Sequence, residues 1–166
     1  MPRPGHSVNA GSMEALREFH ACDGVRLPFG AACTALEQHG QDIIAQAALL
    51  AARSGSAAAA GWLGARSPVV TAPLERDGER SATMAMRWIP AGTAAAAGGD
   101  PAGWLHAQLR LLPRQTGDEA ITELLLTVRC EVSPAALGAF DPDHCAGFLR
   151  NAAAELERRA TTRPVR

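Results

Sequence analysis

Two neighbouring stretches of the chain alternate between apolar and polar residues, and they predict the centre of the fold. From Trp104 to Leu112, Leu and Ala residues alternate with His, Gln and Arg, and from Ile121 to Val132 a second apolar series recurs at every other position. A period of two is typical of a β-strand with one buried face. Because residues 115–118 form a turn-like Gln-Thr-Gly-Asp sequence between them, we predict an antiparallel hairpin.

The two strands of this hairpin suggest a register. Directly opposed residues of an antiparallel pair lie on the same face, so a slip of one residue would invert a whole strand. Pairing Leu109 with Leu124 places the apolar residues of both strands on one face and sets Arg110 opposite Glu123 on the other. The same register pairs Ala107 with Leu126 and Leu105 with Val128. We therefore predict this register and a salt bridge between Arg110 and Glu123.

A second hairpin precedes the first. Residues 70–75 alternate, the sequence Arg-Asp-Gly-Glu at 76–79 provides an Asp-Gly turn, and the second arm places an apolar set on one face: Ala82, Met84, Met86 and Trp88. Residues 90–103 form a long Gly- and Ala-rich connection. Loops of this length are uncommon within compact domains, which leaves open whether it is a plain connection or a functional rim.

Helical periodicity dominates two other regions. Residues 29–36 predict a helix that stops at His39-Gly40, and Asp42 to Arg53 predict a second helix, so we expect a helical pair near the N-terminus. Near the C-terminus, Asp141 is placed as an N-cap and Pro142 as the first helical residue. A single apolar stripe follows at helical spacing: Cys145, Phe148, Leu149, Ala152, Ala153 and Leu156.

The N-terminal region is ambiguous. Ser12 could cap a short helix from Met13, whereas the residues up to Leu27 could form a strand that ends at Pro28, and we favour the strand. A chain of 166 residues suits one domain. We therefore predict a leader without regular structure at 1–12, a single α+β domain at 13–160 and a polar tail at 161–166.

Composition excludes several classes of function. The formal net charge is −1 and no basic stripe occurs, which argues against nucleic-acid binding. The longest apolar run, residues 43–52, contains Gln46 and is too short to span a bilayer, and no secretory signal is evident. The four cysteines lack a C-x-x-C pair. We expect a cytoplasmic protein with free thiols, without a cofactor or metal, and with no membrane association.

No catalytic set emerges from the remaining polar residues. His144 and Cys145 are adjacent on a helix and point about 100° apart, so they do not converge easily on one site, and we expect a core thiol at Cys145. His106 lies on the outward face of its strand. His20 and His39 could reach the mouth of a cavity, but no carboxylate at fixed spacing supports either as a general base.

The order of elements and several local sequences carry a resemblance. The helix-grip fold has this order of elements: a strand, paired helices, antiparallel strands and a long C-terminal helix. Four local sequences also resemble the C-terminal half of small actinobacterial proteins of this type: Arg87-Trp88-Ile89-Pro90-Ala91-Gly92 and residues 105–113, 121–132 and 148–156. The chain thus resembles the superfamily of START domains, the pollen allergen Bet v 1 and polyketide cyclases. The resemblance implies a curved antiparallel sheet wrapped around the C-terminal helix, with an apolar cavity between them.

This interpretation predicts a binding protein for a small apolar or aromatic molecule. The small residues Ala152 and Ala153 either let the helix pack closely or leave space for a ligand, and Trp88 either stacks on a ligand or belongs to the core. The expected ligand-binding residues are Met84, Met86, Trp88, Leu109, Leu126, Phe148 and Ala152. An enzyme resembling the polyketide cyclases is one alternative. A non-catalytic interaction module is another: there Ile121 and Leu125 would dock a partner or form a homodimer.

Overall fold

The computed structural model describes residues 16–54, 69–88, 105–131 and 142–162. The predicted leader, the connection 90–103 and the N-cap Asp141 lie outside these residues. The elements in chain order are β1 (Leu16–Val25), α1 (Phe29–Ser54), β2 (Val69–Thr71), β3 (Glu75–Asp77), β4 (Ser81–Trp88), β5 (Leu105–Thr116), β6 (Glu119–Glu131) and α2 (Pro142–Thr161).

The strands form one antiparallel sheet with the order β1-β6-β5-β4-β2, and β3 pairs with β4 next to β2. β1 confirms the favoured strand interpretation of the N-terminal region. Its residues alternate as the strand model requires, because Glu18 and His20 are exposed whereas Phe19 packs against the core. Both predicted hairpins are present. In the hairpin formed by β3 and β4, the turn residue Gly78 has a φ of +58°.

One face of the sheet is apolar and is covered by both helices, which also contact each other. The inner face contributes Ala82, Met84, Met86, Ala107, Leu109, Leu111, Leu124, Leu126 and Val128. The predicted stripe of α2 is confirmed, since all six of its residues are buried in the same core. The predicted class is therefore confirmed: an α+β fold with an antiparallel sheet and a long C-terminal helix against it.

The register of the central hairpin differs from the prediction by two residues. Leu109 lies opposite Leu126, and Arg110 lies opposite Leu125. Glu123 instead forms its ion pair with Arg114, with 2.8 Å between Arg114 Nη2 and Glu123 Oε2. The cause is the turn: strands β5 and β6 continue to a loop of only two residues, and Gly117 in that loop has a φ of +64°. A shift of two keeps every residue on its face, so the alternation alone could not reveal it.

The predicted helical pair is wrong, because α1 is a single helix of 26 residues. His39-Gly40 was interpreted as a stop, but Gly40 lies within the helix. Leu36, Gly40 and Ile44 follow one another at four-residue spacing, and all three are buried. A Cβ at position 40 would lie 2.6 Å from Met84 Cε. Glycine at this position therefore permits a close approach between α1 and β4 rather than ending the helix.

A charged cluster near the end of α2 also links the two helices. The Glu155 side chain is buried and accepts hydrogen bonds from Arg158 Nε at 2.8 Å and Arg159 Nε at 2.9 Å. The Arg158 hydrogen bond, followed by that of Arg159, lowers the pKa of Glu155 to about 2 against the opposing effect of burial. Arg159 Nη1 also lies 3.7 Å from Asp42 Oδ2 of α1. The buried carboxylate thus holds Arg159, near the end of α2, beside the middle of α1.

The positive φ of Gly117 leads to a first prediction. Gly117→Ala should lower the free energy of unfolding by about 1 kcal/mol, because a Cβ is strained in the left-handed region. Gly147→Ala is the matched control: a Cβ there meets nothing within 4 Å inside α2, and alanine should stabilise the helix by up to about 1 kcal/mol. Urea unfolding measures both. A Gly117→Ala protein as stable as the wild type would contradict the assigned turn.

The lowered pKa of Glu155 leads to a second prediction. Its ionised form stabilises the folded protein fully above the ordinary pKa near 4.5, and this contribution is lost as the pH falls from there towards 2. Glu155→Gln should therefore cost about 1 to 3 kcal/mol at pH 7, and the difference from the wild type should shrink below pH 4.5.

Urea unfolding at pH 7 and at pH 3 measures this difference. Glu79→Gln changes an exposed carboxylate in the β3–β4 turn and serves as the control, for which we expect no comparable effect. An equal difference between wild type and Glu155→Gln at both pH values would argue against the charged cluster.

Candidate functional site

The predicted ligand-binding residues come together on the inner face of the sheet and on α2. Six of the seven have a described side chain, and each of these is at most 2 % exposed: Met84, Met86, Leu109, Leu126, Phe148 and Ala152. The backbone of Trp88 pairs with Leu105 and Val69 at the end of β4, and its side chain lies outside the described residues. Ala152 and Ala153 are both buried in the core. The role of these residues in ligand binding stays a prediction.

A pocket of about 370 Å³ opens between the middle of α1 and the connection from β2 to β3. Apolar side chains and polar groups both contribute to its wall. The lining comprises Leu36, Glu37, Gln38, His39, Gly40, Gln41 and Asp42 from α1, Thr71, Ala72, Pro73 and Leu74 from the connection, and Met84 from β4. Met84 is the one residue shared with the predicted binding set. The pocket thus lies beside α1, whereas the predicted cavity was against the C-terminal helix.

The interruption between β2 and β3 explains where the pocket lies. Both short strands pair with β4, and Ala72 N still donates to Ala85 O at 2.8 Å. Pro73 has no N–H and cannot donate to a strand ladder, so regular pairing stops between the two strands. The chain at 72–74 therefore forms a wall of the pocket facing α1 instead of a continuous strand.

The Gln41 side chain joins α1 to the edge of the sheet at one end of this wall. Gln41 Nε2 donates to Val69 O at 2.6 Å. Gln41 Oε1 accepts from Thr71 N at 3.0 Å and from Thr71 Oγ1 at 2.9 Å. Its amide thereby supplies the donor and acceptor that a neighbouring strand would supply to β2. This contact satisfies backbone groups at a sheet edge, which would otherwise be free to pair with another chain.

An ion pair holds the other end of the wall. Glu37 Oε1 lies 2.6 Å from Arg76 Nε, and Arg76 Nη2 donates to Glu37 Oε2 at 2.9 Å. This two-bond geometry joins α1 to β3 and neutralises the Glu37 charge at the pocket. The side chains of Gln38 and His39 make no hydrogen bond or ion pair with another described residue. Their polar groups are therefore available to a bound molecule.

His20 lies away from the pocket, so the prediction that it could reach a cavity mouth is wrong. It is on the outer face of the sheet, where Nε2 lies 3.0 Å from Glu18 Oε1 and Nδ1 lies 3.3 Å from Thr127 Oγ1. Glu18 also accepts a hydrogen bond from Arg129 Nε at 2.8 Å, which lowers the pKa of Glu18 below its usual value. Outward alternation along β1 accounts for this placement.

The structure confirms the predicted positions of the other candidate residues, His106 and Cys145. His106 is exposed, and Cys145 is buried in the core. Cys33 is also buried, and burial raises the pKa of its thiol. The side chain of His144 lies outside the described residues. Among the residues that the structure describes, no group of three or more His, Cys, Asp or Glu could hold a metal ion.

Sequence reasoning placed His39 at a cavity mouth, and His39 does line the pocket, but it missed Glu37 and Gln41. Pro73 offered a signal, because a proline within an alternating stretch argues against a continuous strand. Gln41 offered none, since its role depends on the position of β2, 28 residues further along the chain. Glu37 likewise has its partner in a distant strand. Such contacts require the tertiary structure.

The strand order and the placement of α2 against the sheet are those of an α+β fold and are consistent with the helix-grip fold. No protein-family model matches the sequence, and no curated protein matches it. Among solved structures, the chain is similar to the Zhui aromatase/cyclase from Streptomyces sp. R1128, with 15 % identity, a TM-score of 0.41 and coverage of 89 % of this chain and 98 % of the other.

Two further similarities are of the same kind. A conserved protein from Geobacillus kaustophilus matches with 13 % identity, a TM-score of 0.41 and coverage of 86 % and 96 % of the two chains. The protein TTHA0849 from Thermus thermophilus matches with 11 % identity, a TM-score of 0.40 and coverage of 84 % and 97 %.

Within the described ranges, neither helix is long and apolar enough to cross a membrane.

The Gln41 contact leads to a third prediction. Gln41→Glu replaces the amide donor with an acceptor that faces Val69 O, so it should lower the free energy of unfolding, measured in urea, by about 1 to 2 kcal/mol. Gln46→Glu makes the same change at an exposed position of α1 and is the control. A free energy of unfolding that falls no further in Gln41→Glu than in Gln46→Glu would refute the bridging role.

Proposed function

We propose that the protein binds a small hydrophobic or aromatic molecule, and that the pocket between α1 and the β2–β3 connection is the outer part of its binding site. The observation that carries the proposal is a pocket of about 370 Å³ with Leu36, Leu74 and Met84 in its wall. Ligand sites are typically concave, mostly apolar and about 300 to 1,000 Å³ in volume. The pocket meets the criteria of shape and volume, and six of its twelve lining residues are apolar or glycine.

The chemistry of the wall favours an uncharged ligand. Glu37 is neutralised by Arg76, and the other carboxylate of the lining, Asp42, lies 3.7 Å from Arg159 Nη1. Both ends of the Gln41 amide are engaged by the sheet edge. Gln38 and His39 are left to orient a hydroxyl or carbonyl group. Burial of about 150 Å² of aromatic surface would contribute about 4 kcal/mol, at about 25 cal/mol per Å². Apolar burial of this size would thus provide about half of the binding free energy of a micromolar complex, about 8 kcal/mol.

The other sequence-based hypotheses stay predictions. A cyclase-like enzyme would need a group at the pocket that transfers a proton, and His39 is the imidazole in its lining. An interaction module would use Ile121 and Leu125, which are half-buried on the outer face of β6. The cytoplasmic location, the actinobacterial type and a homodimer are likewise untested. Since the pocket supports binding directly, binding is the function that we propose.

The fourth prediction tests the pocket with an uncharged aromatic probe. N-phenyl-1-naphthylamine, whose fluorescence increases in apolar surroundings, should bind the wild-type protein with a Kd in the micromolar range, about −8 kcal/mol. Ala72→Phe places an aromatic ring in the wall at an exposed position. It should weaken probe binding at least tenfold, about 1.4 kcal/mol, because the ring occupies part of the pocket.

Ala85→Phe is the matched control, since Ala85 is also exposed but lies on the outer face of β4. We expect it to bind the probe as the wild type does. Absence of binding to the folded wild-type protein would refute the proposed function. Equal binding by Ala72→Phe and Ala85→Phe would place the probe elsewhere and refute the assignment of this pocket.

A further inference from the structure

Met84 occupies a special position between the pocket and the core. It contributes to the pocket wall, yet it is 2 % exposed and belongs to the buried inner face of the sheet. Its opposite residue on β5 is Leu109, a member of the predicted ligand-binding set. Met84 thus separates the pocket that opens to solvent from the apolar interior predicted from the sequence.

The end of the Met84 side chain depends on the absence of a side chain at position 40. A Cβ on Gly40 would lie 2.6 Å from Met84 Cε and 3.5 Å from Met84 Sδ. The end of the Met84 side chain therefore occupies the space that a side chain at position 40 would need. Because methionine is unbranched and has several rotatable bonds, its terminal atoms can take other positions with little disturbance of β4.

Met86 shows that the position of Met84 is distinctive. Both methionines lie on the inner face of β4 and both are 2 % exposed. Met86 lies opposite Ala107 and does not line the pocket among the described residues. The strand therefore carries two equally buried methionines, of which one borders the pocket.

We infer that Met84 is the specificity-determining residue of the proposed binding site and that its side chain sets the upper size of the ligand by closing the pocket towards the core. This inference rests on the proposed function. In the wild type the site takes a compact ring system. Removal of the side chain would join the pocket to new apolar space, and engineered apolar cavities of about 150 Å³ are known to admit a benzene-sized guest.

The test compares two uncharged probes of different size, 2-naphthol and 1-pyrenemethanol, by isothermal titration calorimetry. Met84→Ala should shift the ratio of their Kd values at least tenfold in favour of the larger probe. Met86→Ala, which truncates an equally buried methionine, should shift the ratio less than threefold. Circular dichroism and thermal unfolding establish that each variant is folded.

Two further variants address the case in which Met84→Ala does not fold. Met84→Leu keeps a similar volume with fewer rotatable bonds, and it should shift the ratio at least threefold towards the smaller probe. Gly40→Ala favours the helix but removes the space used by Met84 Cε, and it should weaken binding of both probes at least fivefold.

The outcomes separate the two claims. If the wild type binds neither probe, the proposed function fails, and this inference fails with it. If the wild type binds 2-naphthol but Met84→Ala and Met86→Ala shift the ratio equally, the inference alone is overturned. An unchanged ratio in Met84→Leu together with unchanged binding by Gly40→Ala would also overturn it. A selective shift at position 84 supports it.

Discussion

The apolar inner face of the sheet is the constraint on which the other features depend. Alternation along β4, β5 and β6 places Met84, Leu109 and Leu126 on one side, and water must be excluded from that surface. At about 25 cal/mol per Å² of apolar area, its burial is the main favourable contribution to folding. Both helices meet this requirement, and α1 can lie close to β4 because Gly40 has no side chain in the path of Met84.

The position of α1 in turn accounts for the edge of the sheet and for the pocket. Gln41 and Glu37 lie one helical turn apart, and they bind the two short strands on either side of the 72–74 connection. Their contacts protect an edge that could pair with another chain. They also use hydrogen-bonding capacity at the pocket rim, so the same two residues stabilise the fold and leave fewer free polar groups in the pocket.

Local patterns revealed the elements and their faces but not every relation between them. The stripe of α2 and the alternation in β4 were predictable because burial imposes a period on the sequence. The register was not, since pairing Leu109 with Leu124 or with Leu126 leaves the same residues buried, and only the two-residue loop at Gly117 distinguishes them. Gly40 was misinterpreted for a related reason: glycine ends many helices, and its contact with Met84 is visible only in the tertiary structure.

The same limit explains why the predicted and observed sites share only Met84. Periodicity identifies residues that face inward, but it does not distinguish those that pack against one another from those that border a space. Residues such as Leu126 and Phe148 are enclosed by the core, whereas Met84 has the core on one side and the pocket on the other. A pocket forms where regular pairing is interrupted, here at Pro73, and its chemistry then depends on which inward residue lies behind the interruption. At position 84, a flexible thioether makes the boundary between core and pocket adjustable. A rigid β-branched residue would fix that boundary.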